Sequence, residues 1–367
     1  MQVRASLTPA WCMTAFLATG YLMSSASAAS FVYVGSSDSQ DVTVLALKAN
    51  GDLATVEAKA VPGPSKPGGS LPLAVSPDKK LLFAGLRNEP FSVVTFAIDR
   101  KSGKLTLVGP GPLADSMAYI STDRAGKYLL GASYGGNKVT VNPIGPNNVV
   151  EPAQQTMDTQ PNAHCIVTDP TNRYVLHTSL GGDVVYQEKF DAKTGKLTPN
   201  DPPTVSVKAK AGPRHLVFSP NQKFVYLLNE LDASIYVFPW DAKTGTMNKE
   251  IQVTTALPKD FSGKPWAADI HVTPDGKFLY ASERTTSTLA AFSIDQKTGT
   301  LTTIDSFPTE KQPRGFAIDP TGHYLLAVGQ LSNSMTSYAI DKKSGKLTKL
   351  KEYPMGKNPN WVEIVNF

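Results

Sequence analysis

The chain has 367 residues, 36 Lys and Arg against 31 Asp and Glu, and a formal charge of +5. That charge is modest and scattered, with no Lys/Arg block and no basic stripe interleaved with aromatics, which argues against a nucleic-acid partner. The only cysteines are Cys12 and Cys165, and the first falls in a segment expected to be removed. No internal disulfide is then available, and the fold must rest on a large apolar core.

Residues 1–28 read as an export leader. Arg4 supplies a positive start, "WCMTAFLATGYLM" an apolar stretch, and Ala26-Ser27-Ala28 an A-x-A cleavage site. The apolar stretch falls short of the ~20 residues a membrane span needs. The expectation is a mature exported chain, 29–367, cleaved after Ala28 and without a membrane anchor.

"FVYVGS" (31–36) is an apolar strand with no hairpin partner beside it in sequence. "VTVLALKANGDLATVE" follows as a hairpin, and "VPGPSKPGGS" (61–70) is a long loop. From there a repeat takes over. Its inner unit is a short apolar strand, a Pro/Asp turn, a basic residue and a second apolar strand. The copies are "LAVSPDKKLLFAG", "AYISTDRAGKYLLGA", "CIVTDPTNRYVLHT", "HLVFSPNQKFVYLLNE", "DIHVTPDGKFLYASE" and "GFAIDPTGHYLLAVG". Their turns fall at Pro77, Arg124, Pro170, Pro220, Pro274 and Pro320, 46 to 54 residues apart. An outer unit alternates with it, as in "VVYQEKFDAKTGKLTP" and "TLAAFSIDQKTGTLTTI". Its turn glycines are Gly51, Gly103, Gly145, Gly195, Gly245, Gly299 and Gly345. Glycine suits turns that need a residue at positive φ.

Seven outer hairpins predict an all-β, seven-bladed propeller with four antiparallel strands per blade. The inner hairpin has only six complete copies. The seventh is expected to be split across the termini, with "PNWVEIVNF" (359–367) pairing with "FVYVGS". Such pairing would close the ring and remove a sheet edge. The whole mature chain then forms one domain.

In an antiparallel hairpin the start of strand one and the end of strand two lie at the same end. Arg214 is thereby placed with Glu230, and Arg314 with Gln330. The same offset of sixteen joins Ala268 to Arg284 and His164 to Leu180. Arg87 and Tyr134 take the corresponding positions in earlier blades. Inner strands surround the propeller axis, so one mouth is expected to gather Arg87, Arg214, Arg284, Arg314, Glu230, His164 and His215, with Asn229, Asp269, Asn360 and Gln330 nearby. A cross-strand ion pair fixing register is the bland reading of Arg214 and Glu230. Four arginines around one carboxylate leave an excess of positive charge, which points to a site instead. His271, mid-strand, reads as a core or channel histidine. Trp266 reads either as a sugar-stacking platform or as a loop anchor. No metal-ligand spacing occurs, and a divalent cation is disfavoured among four arginines.

The segments "AGPRHLVFSPNQKFVYLLNEL", "WAADIHVTPDGKFLYASERT" and "TEKQPRGFAIDPTGHYLLAVGQ" closely resemble the seven-bladed propeller lactonases. That family includes bacterial 6-phosphogluconolactonases and fungal carboxy-muconate lactonising enzymes. The resemblance implies catalysis by a His, an Arg, a Glu and a second Arg, which correspond to His164, Arg214, Glu230 and Arg284. Arg87, Arg314, Gln330, Asn229, His215 and Asp269 would then bind substrate, with either Glu230 or His164 as general base. The leader departs from the cytosolic lactonases and makes the chain look like a periplasmic gluconolactonase needing neither metal nor cofactor. Its partner would be a small sugar lactone, glucono-1,5-lactone first and 6-phosphogluconolactone or another acidic lactone second. A non-enzymatic propeller binding a protein or polysaccharide is the rival from another class. The oligomeric state stays open.

Overall fold

A computed structural model describes residues 1–3, 5, 29–64 and 68–367. The apolar part of the leader and the A-x-A site lie outside the described residues, as do 65–67 of the long loop. Seven antiparallel sheets form the ring. Six run in simple sequence order, each built from one inner and one outer hairpin.

The seventh joins the two ends of the chain. Its strand β29 (Pro359–Asn366) pairs antiparallel with β1 (Ser30–Ser36), and Phe31 faces Val365 across the pair. The expected split hairpin is therefore present. The outer strand of one blade departs from the pattern, being broken into Thr246–Met247 and Gln252–Thr255, both paired with Ser234–Asp241.

Alternation along the strands buries apolar side chains on both faces of each sheet, because every blade is covered by two neighbours. Seven apolar clusters result, and each draws on two adjacent blades. Phe31, Tyr33 and Val44 pack with Leu82, Val94 and Phe96, and Cys165, Leu176 and Val185 pack with Leu216, Val225 and Phe238. Burial of a side chain such as Phe96 or Leu227 stabilises the fold by roughly 1.5–3 kcal/mol, so the ring holds without cross-links.

Neighbouring blades also lock through the outer turns. At Gly299 (φ +76°) an added Cβ would lie 2.5 Å from the ring of Phe224 in the preceding blade. The same contact joins Gly103 to Phe31, Gly195 to Tyr128, Gly245 to Tyr174, Gly345 to Phe278 and Gly51 to Tyr324. Gly145 is the exception and corrects the sequence expectation, since the positive φ of its turn belongs to Asn148 (φ +63°). The preceding blade offers Leu81 where the other repeats offer Phe or Tyr, so no ring presses against this turn.

Candidate active site

Six of the seven inner strands begin with an irregularity, Leu73–Val75 being the exception. In β16 (Pro213–Phe218) the pairing with β17 (Phe224–Asn229) shifts between Pro213 and His215, leaving Arg214 as the extra residue. The same shift falls at His164 in β12 (Ala163–Thr168), Ala268 in β21 (Ala267–Val272) and Arg314 in β25 (Pro313–Ile318). A bulge bends the strand and re-aims its side chain. Here it turns the second residue of several inner strands toward the axis at one face of the disc.

Arg214 is the hub of that face. Its Nη1 donates to Glu230 Oε2 and to His164 Nε2 (2.7 Å), and its Nε donates to the Ala268 carbonyl (2.7 Å). Arg284 reaches the same Glu230 oxygen through Nη2 at 2.9 Å. Its Nε and Nη2 also donate to the carbonyls of Trp266 and Ala267, each at 3.1 Å. The Trp266 carbonyl also accepts the Arg284 backbone N–H at 3.0 Å, while the Ala267 and Ala268 carbonyls lie at the bulge of β21, and with these acceptors both guanidiniums stay satisfied although Arg214 and Arg284 are 2% and 4% exposed. Trp266 completes the arrangement. Its indole lies under the Arg284 guanidinium (3.8 Å to the ring centroid), and its Nε1 donates to Glu230 Oε1 at 3.3 Å. Neither sequence reading of Trp266 described this clamp.

Burial opposes ionisation of Glu230, but the charges of Arg214 and Arg284 outweigh it and hold the carboxyl below its usual range. His164 is pushed well below the usual histidine value by burial and then by Arg214, so it is neutral. Because an arginine N–H can only donate, His164 Nε2 is the acceptor and the ring proton sits on Nδ1.

Arg314 and Arg87 flank this core. Burial and then the other arginines lower both. Arg87 is tied to Ser70 and Ser116 at 2.9 and 3.1 Å, whereas the buried Arg314 Nε has no partner. Tyr134 stands edge-on to His164, with ring centroids 5.9 Å apart. The structure thus brings together His164, Arg214, Glu230, Arg284, Arg314 and Arg87.

It does not bring the remaining candidates to the same level. Asn229 is fully buried, and its amide donates to Ser234 Oγ at 2.9 Å within its own blade. Gln330 is bound to Gln312 and Asn358, and Asn360 to Leu71 N, Ser37 and Asn358. His215 and Asp269 lie one residue further along their strands than Arg214 and Ala268, hence deeper in the channel. Asp269 joins His215 Nδ1 (2.8 Å) to His271 Nε2 (3.2 Å). Cavities of about 430 and 210 Å³ open from this deeper layer toward the Pro-turn face, and both are lined by Tyr119, His215, Asp269 and His271. His271 is accordingly a channel residue.

The family model described as "Lactonase, 7-bladed beta-propeller" matches residues 31–364. The 6-phosphogluconolactonase of Pectobacterium carotovorum is 42% identical over 289 residues, which are 78% of this chain and 84% of that protein. The corresponding protein of Serratia proteamaculans is 40% identical over 288 residues, with the same shares covered. Among solved structures, the periplasmic gluconolactonase of Pseudomonas aeruginosa superposes with a TM-score of 0.84 at 25% identity, covering 92% of this chain and 99% of its own. The chain belongs to the seven-bladed β-propeller lactonases.

Proposed function

We propose that this lactonase opens a sugar δ-lactone, glucono-1,5-lactone, in the periplasm after removal of residues 1–28. The observation that carries the reading is the single carboxylate, Glu230, held between Arg214 and Arg284 beside a neutral His164. Water adds to the lactone carbonyl carbon, and negative charge grows on the carbonyl oxygen. Guanidinium groups already fixed by backbone carbonyls receive that charge without reorganising, and one such donor is worth ~3 kcal/mol. The ring C–O bond then breaks and its oxygen takes a proton. The second proton of the water leaves as the acid ionises.

His164 has its Nε2 lone pair occupied by Arg214 and its proton on Nδ1, so it offers no free base. Glu230 Oε1 carries only the long Trp266 bond and is the group that orients and deprotonates the water. Arg314, with its free buried Nε, and Arg87 hold polar groups of the substrate. The leader pattern supports a neutral substrate made outside the cytosol.

A second reading, 6-phosphogluconolactone, draws support from the positive excess at the mouth and from the names of the relatives. The test is kcat/KM for the two lactones with the mature protein. A gluconolactone value at or above the phosphorylated one supports the first reading. A phosphorylated lactone preferred a hundredfold supports the second, and no acceleration of either over buffer refutes both.

A further inference from the structure

Two buried ring nitrogens at the site have no partner, namely His164 Nδ1 and His215 Nε2. Both histidines are more than nine-tenths buried, and their rings lie 5.1 Å apart, centroid to centroid. Their chemistry is complementary. Arg214 holds His164 Nε2 as an acceptor, so His164 Nδ1 carries a hydrogen and must donate. Asp269 also accepts the Ile270 and Phe316 amides at 3.0 and 3.3 Å, so it faces His215 as an acceptor. His215 therefore donates from Nδ1 and leaves Nε2 as a bare lone pair. An unpartnered donor and an unpartnered acceptor on adjacent buried rings are the two partners that one bridging water would satisfy.

We propose that His215, oriented by Asp269, is a positioning residue for the reacting groups, acting through one water that accepts from His164 Nδ1 and donates to His215 Nε2. The chain then runs without a break in direction. His215 donates to Asp269, the water to His215, His164 to the water, and Arg214 to both His164 and Glu230. Its effect is to fix the His164 tautomer. An imidazole protonated on Nε2 would turn its N–H against the Arg214 N–H and push the guanidinium off Glu230. A layer of the channel that touches no substrate thereby sets the geometry of the layer that does. The inference rests on the reading of Glu230 and Arg214 as the reacting machinery given above.

The test combines tautomer and kinetics on the mature chain. The sequence holds five histidines, so long-range ¹H–¹⁵N correlations of histidine-labelled protein can be assigned with single His→Gln variants. The expected result is a proton on Nδ1 alone in both His164 and His215. His215→Phe keeps the ring shape and removes the acceptor, and it should lower kcat roughly ten- to hundredfold with KM within about twofold. His215→Gln, whose amide can donate to Asp269 and accept from the water, should retain kcat within about threefold.

A wild-type His164 protonated on Nε2 overturns the proposal, as does His215→Phe with wild-type kcat, or His215→Gln falling as far as His215→Phe. Should His215→Phe fail to fold, the wild-type tautomer and the glutamine variant still decide it. Should the protein open no sugar lactone, the functional reading fails while the tautomer measurement stands on its own.

Discussion

Replacing Glu230 by glutamine changes one oxygen to an amide at the most crowded charged point of the molecule. Glu230 Oε2 accepts from Arg214 Nη1 and, at 2.9 Å, from Arg284 Nη2, while Oε1 accepts from Trp266 at 3.3 Å. A glutamine oxygen placed toward the guanidiniums keeps part of this, but its NH₂ must then face the Trp266 N–H. The reverse orientation sets the NH₂ against two arginines. In either orientation Arg214 and Arg284 lose the carboxylate that both of them contact. Removing one member of a buried pair costs about 3–5 kcal/mol when nothing replaces it. With one acceptor retained, a loss of about 3 kcal/mol is expected, which lowers Tm by several degrees in a protein of this size.

The chemical step loses more than the fold does. Without an anionic acceptor the attacking water is neither oriented nor relieved of its proton, an effect typically of 10²–10⁴-fold. The assay follows acid release from gluconolactone with a pH indicator in a stopped-flow instrument, subtracting the buffer rate, while a thermal melt confirms that the variant is folded. A second readout comes from equilibrium binding of inorganic phosphate, which should tighten in Glu230→Gln because the uncompensated positive charge grows by one. A folded Glu230→Gln with kcat/KM within about threefold of wild type would refute the assignment of Glu230 as base.

Trp266→Phe keeps a ring beneath Arg284 and removes the indole N–H from Glu230, so kcat/KM should fall roughly three- to tenfold. Trp266→Ala also loses the cation–π contact, worth ~1–2 kcal/mol, and should fall further; equal effects of the two would deny the N–H a role. Gly299→Ala places a Cβ at φ +76° and 2.5 Å from Phe224, so a loss of about 2–4 kcal/mol is expected in urea unfolding. Gly145→Ala, free of both constraints, should cost under about 1 kcal/mol. Burial pushes the carboxyl of Glu363, which lines the deeper cavity, up to about 7 from its ordinary 4.5. Between those values the native chain keeps a proton that the unfolded chain has lost, so stability falls as pH rises through that window. Glu363→Gln should therefore exceed wild type by roughly 1–3 kcal/mol at pH 8 and match it near pH 4. His271 keeps some slope of the same sign, because Asp269 outweighs burial and raises its pKa.

Much of this was legible in the sequence because a repeat multiplies weak signals. One hairpin turn says little, but seven outer turns at a common period set the blade count, and the six complete inner hairpins, one short of seven, located the closure of the ring. The register of a plain hairpin was enough to place Arg214 with Glu230 and Ala268 with Arg284. What it missed follows from the bulges. A regular ladder puts His215 and Asp269 beside Arg214, whereas the extra residue in each strand separates the two levels. Asn229 shows the opposite error, since polarity at a strand end suggested the mouth while Ser234 in the same blade takes its amide. A usable signal for the deeper layer was present. At the position five residues before the turn the repeats carry Tyr119, Cys165, Gly315 and Trp361, and only His215 and Asp269 there can form a charge-assisted pair. The backbone carbonyls that hold Arg214 and Arg284 leave no trace in side-chain sequence at all.

Those carbonyls explain how the site tolerates its own charge. Four arginines near one carboxylate repel one another, and burial alone would favour discharging them. The carbonyls of Ala267 and Ala268, at the bulge in β21, and of Trp266, which also accepts the Arg284 backbone N–H, meet the guanidiniums of Arg214 and Arg284, which supplies dipoles fixed before any substrate arrives. The same deformation therefore does two things at once. It aims side chains at the axis, and it sets the Ala267 and Ala268 carbonyls beside the positive charge they help keep in place. A mouth built this way is ready for an oxyanion, because the negative charge formed on ring opening meets donors already oriented and already stripped of water. Regularising the bulge, by deleting Ala268, should consequently abolish activity more completely than Glu230→Gln does, since it removes the carbonyl that anchors Arg214, displaces the Ala267 carbonyl that helps hold Arg284, and with them the alignment of the carboxylate.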